Sequence, residues 1–166
     1  MSINQIRKNL FGFGLTALLS VGMLAGTATP ALAHEAKCPY CKLDVVQDTK
    51  EQDNEVVLRY GNKRIEYRCV LCAIAQAKSK YKNDVTIIAP STVKGKPVTI
   101  TRVNGEWKAE PETALFVYAK GSHAECELRY RAVANREAYD AYVKANPDLL
   151  KDAKPLTLKE LVELSK

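Results

Sequence analysis

Hydrophobic and polar positions change period along the chain, and the changes mark out its elements. Residues 55–60 (EVVLRY) and 63–67 (KRIEY) are rich in β-branched and aromatic side chains, with Gly61-Asn62 between them. A two-residue Gly-Asn link between such runs predicts a β-hairpin. The period then becomes helical: in 69–81, Val70, Ala73, Ile74, Ala77 and Tyr81 share one face. Residues 84–89 (DVTIIA) and 97–103 (PVTITRV) read as strands, and Asn104-Gly105 as a turn into Glu106-Trp107-Lys108. Residues 114–119 (ALFVYA) read as another strand, 121–126 as a loop, and 128–134 (LRYRAVA) as a half-buried strand. Asn135 is suited to cap a helix over 136–145, with Ala138, Tyr139, Tyr142 and Val143 on one face and Pro147 beyond its end. A short terminal helix is expected from Leu156 to Leu164.

The strand-strand-helix order of 55–81 recurs at 114–145. The expected fold class is a small α+β domain built of two ββα modules, joined by the strands of 84–108. The halves would fall near 34–83 and 110–166. The alternative is chance recurrence within one small α+β domain.

The N-terminus adds a targeting signal. Arg7 and Lys8 precede a largely apolar stretch from Leu10 to Ala25, and Ala31-Leu32-Ala33 fits a small-x-small cleavage site. Residues 1–33 are therefore expected to be a signal peptide. A membrane anchor is the competing reading, against which stand Gly12, Gly14, Gly22, Gly26 and the Thr27–Pro30 ending. Residues 1–33 hold no cysteine for lipid attachment. Cleavage would leave residues 34–166 as a single domain in the periplasm or outside the cell, with no membrane span. Loss of Arg7 and Lys8 lowers the net charge from +6 to +4. Basic and acidic residues are interspersed without a basic stripe, so nucleic acid is not an expected partner.

Candidate chemistry lies in the cysteines. Cys38-Pro39-Tyr40-Cys41 and Cys69-Val70-Leu71-Cys72 form two matched Cys-x-x-Cys knuckles, 27 residues apart across the expected hairpin. Each knuckle offers two sulfurs on one side of a tight turn, a donor set for zinc or copper(I). The second knuckle opens the expected helix, where the dipole and backbone N–H groups favour thiolate. That helps a metal ligand and a redox cysteine equally. Export raises the alternative of disulfides, and the odd count leaves Cys126 over. His123 and Cys126 form a His-x-x-Cys pair able to present an imidazole and a thiolate to one ion; the bland reading is a solvated histidine and a buried small hydrophobe. His34 would be the N-terminus after cleavage, its amine and imidazole suited to copper(II), or simply a frayed end. The tyrosines and Trp107 read as packing. Asp44, Asp48, Asp53 and Glu55 read as a solvated loop without calcium-loop order. The chain carries no nucleophile elbow, phosphate loop, dinucleotide fingerprint or HExxH helix, so no catalytic or organic-cofactor residues are expected and the protein is read as a non-enzyme.

With the first knuckle, the hairpin and Tyr67-Arg68-Cys69-Val70-Leu71-Cys72 placed, the first half resembles the treble-clef knuckle of TRASH and YHS-like metal-binding modules, with Arg68 where their second aromatic stands. Over most of 38–165 the chain resembles the NosL family, exported accessory proteins linked to copper delivery to nitrous oxide reductase. The similar parts are the exported N-terminus, the early Cys38-Pro39-Tyr40-Cys41 box, the central cysteine region and the late strand-loop-strand-helix with its Leu-rich tail. That family's box continues with Gly-Met, where this chain has Lys42-Leu43, and Cys69 and Cys72 would supply sulfur in place of the thioether. The resemblance implies an exported metallochaperone for a thiophilic metal, copper first and zinc second, with a metalloenzyme as recipient. Its ligands would be Cys38, Cys41, Cys69 and Cys72, with His123 and Cys126 as auxiliaries. Two other readings stand beside it: a structural zinc knuckle serving a binding module, and a dithiol-disulfide oxidoreductase.

Overall fold

A computed structural model describes residues 36–45, 55–119 and 131–165, all of which belong to the unit Leu32–Lys166. Among them the chain forms a small α+β domain with three antiparallel sheets and three helices. The expected signal peptide, the acidic residues Asp48 and Asp53, and the 121–126 loop with its flank lie outside the described residues.

Two short strands, β1 (Ala36–Lys37) and β2 (Asp44–Val45), form the first sheet. The hairpin β3 (Val56–Tyr60) and β4 (Lys63–Tyr67) pairs Tyr60 with Lys63, and Gly61 supplies the positive φ of +55° at the turn. Strands β5 (Val85–Ala89), β6 (Val98–Val103) and β7 (Glu106–Glu110) extend this hairpin into one five-stranded sheet, ordered β4-β3-β5-β6-β7. Asn104 and Gly105 both take positive φ, the two-residue turn that matches the twist of paired strands.

One face of this sheet is buried. Register sets Leu58 beside Ile87 and Ile87 beside Ile100, and all three are fully buried; each such side chain contributes about 1.5–3 kcal/mol relative to exposure. Helix α1 (Val70–Lys80) covers this face through Val70, Ala73, Ile74 and Ala77.

A buried arginine fixes the far end of α1. Arg102 of β6 donates from Nη1 to the Ala77 carbonyl at 2.7 Å, and from Nη2 to those of Asn83 at 2.6 Å and Tyr81. Its guanidinium lies 5.4 Å from the ring centroid of Trp107, its cross-strand partner. A cation on the terminal carbonyls of a helix satisfies acceptors that have no partner within the helix. The opposite end of α1, which carries the second knuckle, is thereby held over the sheet.

The third sheet, β10-β8-β9, comprises β8 (Leu115–Tyr118), β9 (Arg131–Val133) and β10 (Lys154–Leu156). Helix α2 (Arg136–Ala145) packs against β8 and β9. Val117, Val133, Tyr139 and Leu150 form a second, smaller core there. Asn135 caps α2 by accepting from the Ala138 N–H at 2.9 Å. Leu156, expected to open the last helix, instead ends edge strand β10. Helix α3 (Leu158–Leu164) begins after Thr157, which forms a capping box with Glu160. Among the described residues, no helix is long and apolar enough to cross a membrane.

Candidate metal centre

The first knuckle is the turn of the β1–β2 hairpin. The Cys38 N–H donates to the Leu43 carbonyl and the Lys42 N–H to the Cys38 carbonyl, both at 2.8 Å. Lys42 takes φ +65°, the left-handed region that glycine enters most readily, and its ammonium reaches the Pro39 carbonyl at 2.8 Å. This turn leaves Cys38 and Cys41 inside the main core, 0% and 3% exposed.

The second knuckle opens α1. Cys69 is the N-cap residue, its side chain making no capping hydrogen bond, and Cys72 lies in the first turn. Arg68 donates from Nη1 to the Asp44 carbonyl at 2.9 Å. That contact ties the approach to α1 to the strand leaving the first knuckle.

The two knuckles meet. The Sγ atoms of Cys38, Cys41 and Cys72 all lie within 4.8 Å of one another, and all three residues are buried. Thiolates about 2.3 Å from one ion stand roughly 3.8–4.6 Å apart, so the triad has the dimensions of a single-ion site. Cys69 stands beside this triad, its Sγ 3.3 Å from that of Cys72. None of these four cysteines is in a disulfide.

The surroundings favour thiolate at Cys38. Its thiol is lowered to about 5, chiefly by a hydrogen bond from the Cys72 thiol and against burial; the backbone N–H groups of Arg68, Cys41 and Tyr40 assist. A thiolate stabilised before any cation arrives is a prepared metal ligand.

Tyr67, fully buried at the end of β4, responds in the opposite sense. Burial pushes its phenol up, the Tyr81 hydroxyl at 3.5 Å adds to this, and charge on Cys38 and Cys72 adds further. Tyr67 thus remains a neutral wall of the site.

Of the six metal-ligand candidates in the sequence, Cys38, Cys41 and Cys72 come together and Cys69 touches Cys72. His123 and Cys126 lie outside the described residues, as does His34. The acidic cluster is not assembled by its described members: Asp44 pairs with Lys37 at 2.5 Å and Glu55 with Arg64. Tyr67 and Arg68 were readable only as packing and as a departure from an aromatic pattern. Their position immediately before Cys69 is the one signal that could have marked them.

No protein-family model matches the sequence, and no curated protein matches it. Among solved structures, the fold is similar to that in the crystal structure of the mercury-bound form of MerB2, with a TM-score of 0.53 and 16% identity. The match covers 65% of this chain and 54% of that one, so the chain spans about half the length of MerB2. At this identity the likeness is one of fold. Fold and site together define a small α+β protein with a buried cysteine cluster that could hold a metal ion.

Proposed function

We propose that this protein is an exported, NosL-like accessory protein that binds one thiophilic metal ion and passes it on by ligand exchange. The observation that carries this reading is the convergence of Cys38, Cys41 and Cys72 within 4.8 Å in the core. Three sulfurs satisfy a soft cation while leaving a coordination position for a recipient's ligand, whereas a closed structural site uses four. Copper(I) is the first candidate cargo and zinc(II) the second. The mercury named for MerB2 adds mercury(II) as a third thiophilic probe. The treble-clef-like arrangement of knuckle, hairpin and helix is the proposed metal module, and the ββα unit of β8, β9 and α2 the second. Export is supported by the basic, apolar and small-residue pattern of residues 1–33, and a non-enzymatic role by the lack of a catalytic motif in the sequence.

The test is metal removal by a chelator, followed by circular dichroism. A carrier keeps its fold when stripped, because most of the core over the five-stranded sheet, and all of the core around Val117 and Tyr139, is built of side chains other than the cysteines. Unfolding on removal would identify a structural zinc knuckle instead.

The contact between Cys69 and Cys72 at a helix N-terminus favours one second reading, a dithiol-disulfide oxidoreductase. Insulin reduction by the dithiol form, lost in Cys69→Ser, would support it.

A further inference from the structure

The four sulfurs are not equivalent. Cys38, Cys41 and Cys72 are 0%, 3% and 0% exposed, and Cys69 is 9% exposed. Cys72 belongs to the triad and is also 3.3 Å from Cys69, so it takes part in both arrangements. Cys69 sits outside the triad and caps nothing with its side chain. Of the four residues Cys69 is the least covered, and its sulfur lies beside one that belongs to the triad.

We propose that Cys69 is the exchange thiol of this protein: with Cys72 it forms a two-sulfur station that receives a thiophilic ion and hands it to the Cys38, Cys41 and Cys72 triad, and it reverses the path on release. This inference rests on the metal-carrier reading above. On loading, the donor's ligand-to-metal bond breaks as a Cys69 Sγ-to-metal bond forms, and the Cys69 proton goes to solvent. Cys72 then binds. As it does so the donor's last bond to the metal breaks, and Cys38 and Cys41 next displace Cys69. Cys72, Cys41 and Cys38 each release to solvent any thiol proton they carry on binding, and Cys69 takes one back from solvent. Neither metal nor sulfur changes oxidation state, so no oxidant or reductant is consumed.

The experiment follows copper(I) transfer, anaerobically, from a chromophoric chelator to the full chain as processed by its host. Wild type, Cys69→Ser, Cys69→Ala and Cys38→Ser are compared by stopped flow and by equilibrium competition. Both Cys69 variants are expected to keep wild-type stoichiometry and an affinity within about threefold, while transfer slows at least about tenfold. A wild-type rate in both variants overturns the proposal. So does an affinity loss as large as that of Cys38→Ser, which would make Cys69 a fourth holding ligand. Unchanged binding in Cys38→Ser would instead overturn the triad, a separate failure.

A second measurement needs no variant. The copper(I)-loaded protein is treated with a thiol alkylating reagent and mapped by peptide mass. Labelling of Cys69 with protection of Cys38, Cys41 and Cys72 is expected; protection of Cys69 with the other three overturns the proposal.

Discussion

The thiol of Cys72 donates a hydrogen bond to the sulfur of Cys38, joining the first turn of α1 to the knuckle of the β1–β2 hairpin. Two segments separated by the whole β3–β4 hairpin thereby meet at one buried point. The chemistry proposed for this protein starts from that contact, because it lowers the Cys38 thiol where burial alone would raise it.

A pH dependence follows for the metal-free protein. In the unfolded chain Cys38 keeps its proton up to about pH 9, and in the folded chain it loses it near pH 5. Between those values the unfolded state binds more protons, so stability rises with pH. This contribution is fully present above about pH 9 and is lost as pH falls through about 5. Thiolate ultraviolet absorbance should show one step near pH 5 that is missing in Cys38→Ser. Titration of every thiol in its ordinary range would contradict this.

Lys42 occupies a glycine conformation at φ +65°. Lys42→Gly should stabilise the metal-free protein by about 0.5–1 kcal/mol, net of the entropy glycine adds to the unfolded chain and of the exposed bond to Pro39. The check is the urea midpoint, and a lower midpoint than wild type would count against it.

Arg102 satisfies three carbonyls at the end of α1 from within the core. Arg102→Leu removes every donor and leaves those acceptors in a poorly hydrated place, so a loss of about 2–4 kcal/mol is expected in chemical denaturation. A change below about 0.5 kcal/mol, the usual range for surface substitutions, would show that water replaces the guanidinium there.

Asn135→Ala removes the α2 cap and should cost about 1 kcal/mol. Helix α2 packs on the smaller core, away from the cysteines. Copper(I) affinity should therefore stay at its wild-type value while the thermal midpoint falls. A parallel drop in affinity would mean that the two cores are energetically coupled.

Much of this arrangement was legible before the structure. Gly61-Asn62 between two β-branched runs marked the hairpin, and the 3.6 period of Val70, Ala73, Ile74 and Ala77 marked α1. Strand β10 was not legible, because Pro155 inside a three-residue segment reads as a break; it is accommodated on the sheet edge, where among the described residues it pairs with β8 alone. The role of Arg102 was hidden too. A charged residue in an alternating strand reads as solvent-facing, yet its face is the buried one, and the α1 terminus that it serves is distant in sequence. At the site, spacing identified both knuckles but gave no way to divide four cysteines into a triad and a neighbour. That division depends on how the hairpin turn and the helix start are docked, which is a property of the packed sheet.

The most direct test of the central claim is the amount of copper(I) and zinc(II) retained per chain after anaerobic equilibration and desalting, in wild type and in Cys72→Ser. Cys72 belongs to the triad and lies 3.3 Å from Cys69, so its loss should disrupt both arrangements at once. The expected result is about one ion per wild-type chain, near zero in Cys72→Ser, with both proteins folded. Equal retention by the two proteins, or none by either, would contradict a metal site built on these cysteines.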